Sequence, residues 1–194
     1  MEVFLWWIGA GAADHDLLGL ARRQTEQVFG VTARAWLGHD RPTDSYDPRR
    51  EQHSSTRILK WLLDARPCHA AKVVGITDVD LFIPILTFVY GEAQLGGTAA
   101  VVSTARLAAY NGFRHDRDPL AARVVKECIH ELGHAFGLIH CARPTCVMAR
   151  SVNLVQVDAK EPDLCHDCRG RYGELIKQGH HHHDQRTDTD PHRR

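Results

Sequence analysis

The sequence predicts a mixed α/β fold organised as one domain, and three observations carry that expectation. Strand-length apolar segments alternate with segments of helical period through the first half of the chain. Two strand-like segments then follow one another across a Gly-Gly turn, which adds strand pairing without a helix between. A long amphipathic helix comes after them. With 194 residues, 43% of them apolar and 25% charged, the chain can bury one sizeable core. It shows no internal repeat and no second domain boundary.

Residues 3–8 are almost wholly apolar and read as a first buried strand. Gly9 and Gly11 follow, then Asp14 as N-cap of an amphipathic helix reaching Phe29. Strand, glycine turn and helix resemble the start of a dinucleotide fold, but Asp14 stands where a third glycine belongs. Residues 31–36 give a second strand. Residues 38–49, rich in Pro and Asp, give a loop. Helical spacing spans 51–65 and Pro67 stops it. Residues 72–77 form a third strand and 81–90 a β-prone run despite Pro84. Residues 98–104 form another strand. Asp118-Pro119 caps the long helix, whose stripe of Leu120, Val124, Val125, Cys128, Ile129, Leu132 and Phe136 packs on the sheet.

Charge balance removes the simplest argument for a polyanionic partner. Lys plus Arg equals Asp plus Glu at 24 each, leaving no basic footprint for nucleic acid or an anionic membrane. The apolar N-terminus is too short to span a bilayer and Glu2 occupies the place of a basic signal-peptide region. A cytoplasmic, soluble protein is expected. Fourteen histidines are the compositional outlier. Four of them, His180 to His183, lie in a polar stretch, 178–194, which reads as a disordered tail.

On the long helix sits His130-Glu131-Leu132-Gly133-His134. Histidines four apart share one helix face, so both imidazoles reach a single ion. Glu131 is rotated off that line and can approach a metal-bound water as general base. Gly137 can take the left-handed conformation that ends a helix, and the turn brings His140 back to the other two. HExxH alone also occurs on ordinary helices; the added glycine and third histidine make the extended zinc-peptidase signature. Three protein ligands leave an open position, as catalytic rather than structural zinc requires.

A second cluster begins one residue later. Cys141, Cys146, Cys165 and Cys168 form two pairs with the loop spacing of a closed, four-thiolate zinc site. Two disulfides, or a redox pair at Cys165 and Cys168, are the other readings. Cys128 falls on the helix's apolar stripe as a packed thiol.

The run His130-Glu131-x-x-His134-x-x-Gly137-x-x-His140-Cys141-x4-Cys146-x-Met148, followed by Cys165-x-x-Cys168, resembles the archaemetzincins. Fainter likeness extends upstream through Gly75-Ile76-Thr77-Asp78-Val79-Asp80-Leu81 and Phe88-Val89-Tyr90-Gly91. The sixteen residues between Met148 and Cys165 are one fewer than the usual pattern.

The resemblance implies a metzincin-like fold: a twisted mixed sheet with an antiparallel edge strand, an active-site helix, and a small C-terminal zinc-bound subdomain. The catalytic domain would be 1–177, its two parts 1–137 and 138–177. The edge strand is expected at 98–104, lining the cleft and pairing with an extended peptide. Met148 would form a hydrophobic floor beneath the catalytic metal. Two Zn2+ ions per chain are implied, one catalytic and one structural. The substrate would be a peptide or unfolded protein, with no nucleic acid and no membrane involved; oligomeric state stays open. Glu131 would take a proton from the attacking water and return it to the leaving amine. The alternative is a zinc-stabilised binding or regulatory protein with a blocked or vestigial peptidase site.

Overall fold

A computed structural model describes residues 1–9, 11, 14–38, 42–108 and 119–184. The chain runs β1 (Glu2–Trp7), α1 (His15–Phe29), β2 (Thr32–Leu37), a 3-10 turn (Thr43–Ser45), β3 (Tyr46–Asp47) and β4 (Gln52–Ser54). It continues with α2 (Ser55–Ala65), β5 (Lys72–Thr77), β6 (Leu81–Phe82), β7 (Gly91–Ala93) and β8 (Ala99–Ser103). Three helices close it: α3 (Pro119–Ala135), α4 (Leu154–Ala159) and α5 (His166–Asp184).

The main sheet has the order β2-β1-β5-β8-β7, parallel throughout except for the antiparallel pair β7-β8. Side chains alternate across it as strand geometry requires. Leu5, Val74, Ile76, Ala100 and Val102 face α1 and α3, whereas Phe4, Trp6, Val73 and Val101 face α2. The sheet is therefore covered on both faces, as parallel sheets are. A small second sheet, β3-β4-β6, lies beside it. No described helix is long and apolar enough to cross a membrane.

Asp14 caps α1 as expected, its Oδ1 accepting the Leu17 N–H at 3.0 Å, and Gly30 ends that helix at φ 63°. The Asp118 cap lies outside the described residues. Four expectations are corrected. The antiparallel edge strand is not 98–104. Ala99 to Val102 are fully buried, so β8 is an interior strand, and the short, half-buried β7 forms the edge. The run 81–90 is not one strand, because Pro84 has no N–H to give a ladder; Ile83 instead accepts from Leu86 in a turn. Leu81–Phe82 and a bridge at Val89 pair there, and the Tyr90 carbonyl accepts from Ser103 N–H. The helix expected from 51 begins at Ser55: Glu51 sits at φ 53°, Gln52–Ser54 pair as β4, and Ser54 caps α2. The loop 38–49 contains the 3-10 turn and β3. At the other end α5 is helical to Asp184, and the rest of the stretch 178–194 lies outside the described residues.

Candidate active site and metal clusters

α3 places His130, Glu131 and His134 deep in the molecule because its apolar stripe lies flat on the sheet; His130 and Glu131 are both buried. The helix stops where the sequence says it should. Gly137 takes φ 99°, and Leu138 N–H donates back to the Gly133 carbonyl at 2.9 Å. That turn brings His140 to the two helical histidines, and ligand atoms of all three lie within 4.8 Å of one another.

Hydrogen bonds decide the tautomers. His130 Nδ1 lies 2.7 Å from the Val147 carbonyl and His134 Nδ1 2.7 Å from the Leu138 carbonyl. A carbonyl only accepts, so both Nδ1 atoms carry the proton and both Nε2 atoms keep a bare lone pair. Those two Nε2 atoms face each other at 3.1 Å. Burial first, and the Lys160 charge with it, hold the His130 imidazole far below its usual pKa, and burial also lowers His134 and His140. Neutral rings with converging lone pairs are the donor set a divalent metal needs. Two such nitrogens on a tetrahedral zinc would stand about 3.3 Å apart.

Met148 is fully buried against the helix at Gly133, where an added Cβ would collide with the Met148 sulfur. Glu131 points to the edge strand. A Cβ at Gly91 would come within 2.7 Å of Glu131 Cγ and 2.8 Å of its Oε1, so only glycine lets β7 pass so close. Burial, then the neighbouring Glu127, raise the Glu131 carboxyl well above the usual range against the opposing pull of Lys160.

The four cysteines also converge, within the same 4.8 Å limit. Cys141 Sγ to Cys165 Sγ and Cys146 Sγ to Cys168 Sγ both measure 3.8 Å. A disulfide would need about 2.05 Å. In a tetrahedron with zinc–sulfur bonds of 2.3 Å the sulfurs stand about 3.8 Å apart. Although burial opposes it, the Cys168 backbone N–H and neighbouring sulfurs bring the Cys165 thiol down to about 7. Backbone N–H groups of Arg143 and Cys165 point at Cys141 and Cys146 sulfurs, each at 3.4 Å. Both clusters thus fit the metal their donors suggest. Cys128 is fully buried and its thiol pushed up by burial, consistent with packing.

The model of peptidase family M54 matches residues 65–173 of this sequence. The chain belongs to that family. It is 38% identical over 159 residues to the archaemetzincin of Methanocaldococcus jannaschii, covering 81% of this chain and 86% of that one. Its fold resembles the crystal structure of archaemetzincin from Methanopyrus kandleri, with TM-score 0.80, 32% identity, and coverage of 91% and 96%. A zinc-dependent peptidase from Methanocorpusculum labreanum is similar at TM-score 0.75 and 26% identity, covering 88% of this chain and 99% of that one. Membership makes this chain a zinc metallopeptidase of the archaemetzincin group.

Sequence reading missed the polar support of this family member's site. Glu127 and Lys160 form a buried ion pair at 3.2 Å. Arg123, itself buried, grips Asp158 through two bonds of 2.7 and 2.8 Å and also donates to the Leu107 carbonyl. Lys126 donates to the Val157 and Asp158 carbonyls. One turn of α3 therefore holds the C-terminal end of α4. Glu127 lies four residues before Glu131 on the same helix face, a spacing visible in the sequence; Lys160 gives no such signal.

Proposed function

We propose that His130, His134 and His140 hold a catalytic zinc and that Glu131 is the general base of a peptide-bond hydrolysis. The observation that carries this is the pair of bare Nε2 atoms 3.1 Å apart, with Glu131 next to His130 on the same helix and its side chain set against the edge strand at Gly91. A zinc ion in that cradle would acidify a bound water and polarise the scissile carbonyl. Glu131 then takes the attacking water's proton at its carboxylate. The protonated carboxyl then delivers that proton to the leaving amine nitrogen. Met148 fills the floor and keeps water from the underside.

β7 supplies the peptide-binding rail. Tyr90 and Gln94 bond backbone to backbone with Ser103 and Ala99, and Glu92 stands opposite Val101 in the same register. By the alternation of an antiparallel ladder, the backbone groups of Gly91 and Ala93 face the outer side. Among the described residues, none takes them. An extended peptide can add there as the next strand. We assign the four cysteines to a second, structural zinc, and the free thiols fit a reducing compartment such as the cytoplasm.

The test compares zinc-loaded wild type with Glu131→Gln on a diverse peptide library read by mass spectrometry. The variant should keep its zinc and lose turnover. Retained cleavage by Glu131→Gln would remove Glu131 from the chemistry. A zinc-loaded wild type that cuts nothing would overturn the peptidase mechanism in favour of a binding role.

A further inference from the structure

A cavity of about 670 Å³ opens beside the small β3-β4-β6 sheet, and none of its described lining residues belongs to the histidine or cysteine cluster. Arg49, Arg50 and Arg57 all line it. The chain as a whole carries no net charge, so three guanidiniums around one cavity are a local concentration.

The turn between β3 and β4 presents the first two. Arg49 N–H donates to Asp47 Oδ1 at 2.9 Å and Arg50 N–H to the Asp47 carbonyl at 3.2 Å, which fixes the loop. The Arg50 guanidinium lies 4.4 Å over the Phe82 ring and donates to the Leu86 carbonyl at 3.0 Å and the Pro84 carbonyl at 3.5 Å. Arg57, in the first turn of α2, donates to the Asp44 carbonyl. The Arg49 side chain has no polar partner among the described residues. Carbonyls and a ring hold these arginines in place without cancelling their charge. By contrast Arg22, Arg34, Arg106, Arg123, Arg169 and Arg171 each bind a carboxylate. Asp47 is the acid in the described lining, and three guanidiniums against one carboxylate leave the cavity positive. Tyr46, 45% exposed, and Ser54 add hydroxyls to the same wall. Ser54 Oγ accepts the Arg57 N–H at 3.4 Å, which leaves its O–H to donate.

We propose that this cavity binds a compact, multiply charged oxyanion: a phosphate ester or polyphosphate group. Guanidinium forks match phosphate oxygens in pairs, and the hydroxyls supply further donors. Like charges gathered without counter-charges repel one another, and an anion among them removes that repulsion. One tight hairpin and one helix end bring the three cations around a single cavity, which fits a compact group. An extended acidic peptide would call for a stripe of cations instead. The site stands independently of the peptidase reading.

The experiment is isothermal titration calorimetry on the full zinc-loaded chain with inorganic phosphate, pyrophosphate, ADP and a tetraglutamate peptide. Pyrophosphate should bind more tightly than phosphate, and added salt should weaken it. ADP binding more tightly than pyrophosphate would identify an ester of a larger molecule; equal or weaker binding would identify the free polyphosphate. Arg49→Gln and Arg57→Gln should each weaken binding about ten-fold or more, the worth of one charge-assisted bond. Arg49→Gln removes a side chain that holds nothing in the fold, so it keeps the test decisive if Arg57→Gln unfolds the chain. Arg171→Gln on α5 should leave the affinity unchanged. Zinc content measured before and after titration separates binding from stripping of the metal. Binding that persists undiminished in Arg49→Gln and Arg57→Gln would belong to the zinc ions and overturn the proposal. So would tetraglutamate binding more tightly than pyrophosphate, or no binding of any phosphate.

Discussion

Gly91→Ala tests the geometry of the general base with a single methyl group. The added carbon would lie 2.7 Å from Glu131 Cγ, 2.8 Å from its Oε1 and 2.7 Å from the Val101 carbonyl oxygen. Carbon atoms in contact sit about 3.5–4.0 Å apart, so roughly 1 Å of movement is forced. Retreat of β7 alone would not suffice, because the Val101 oxygen is on the strand it is bonded to. Glu131 must swing away and β7 must also part from β8 at Val101. A misplacement of about 1 Å in a catalytic group costs on the order of 100-fold in rate. The fold should pay about 1–3 kcal/mol for the overpacking. In a chain of this size each of those lowers Tm by roughly 2–4 °C. Steady-state kinetics on a cleavable peptide should show kcat down about 100-fold, with zinc content by metal analysis unchanged. Gly170→Ala, where an added Cβ meets nothing within 4 Å, is the control. A Gly91→Ala enzyme with wild-type kcat would refute the close approach of β7 to Glu131.

Three further outcomes follow from the same geometry. Lys160→Met strips the partner from a buried carboxylate, which typically costs about 3–5 kcal/mol at neutral pH in chemical denaturation. Burial already raises Glu127 above its ordinary value despite Lys160, so its ionisation opposes folding as pH rises through that window. Removing Lys160 widens the window upward, and the variant's deficit should shrink on acidification; a deficit independent of pH would refute the pairing. Cys168→Ser should lower the metal content by one equivalent while the histidine cluster keeps its own, as measured on chelator-washed and reloaded protein. Zinc at the histidine cluster should survive acidification to below about pH 6.5, the ordinary imidazole value, because desolvation, strongest at buried His130, lowers the proton affinity of the rings. Release of that zinc already near neutrality would contradict that lowered affinity.

Local chemistry was legible in the sequence where a residue's job depends on near neighbours. His130, Glu131 and His134 declare themselves by helical spacing, Gly137 by the turn it must make, and Asp14 by the helix it caps. What was not legible depends on partners distant in sequence. Residues 98–104 and 91–93 both look able to pair, and only the full sheet order shows which is enclosed. A run as apolar as 99–102 is the signature of an interior position, a cue that argues against the edge placement expected for 98–104. Lys160 carried no cue at all, because its partner Glu127 is 33 residues away.

The two clusters are mechanically one construction. His140 and Cys141 are consecutive, so the last histidine of one cluster and the first cysteine of the other share a peptide bond. The segment between Cys141 and Ala149 closes on itself through Cys141 N–H to the Met148 carbonyl at 2.9 Å and a bridge between Cys141 and Ala149. The Val147 carbonyl within that loop orients His130, and Met148 packs beneath the same helix. A metal on the four cysteines would therefore immobilise the loop that sets a tautomer in the histidine site. Groups that orient metal-ligating histidines typically change affinity or activity by about 10–100-fold when altered. The cysteine cluster need touch neither substrate nor catalytic metal to matter for the reaction, since its influence passes through one short loop.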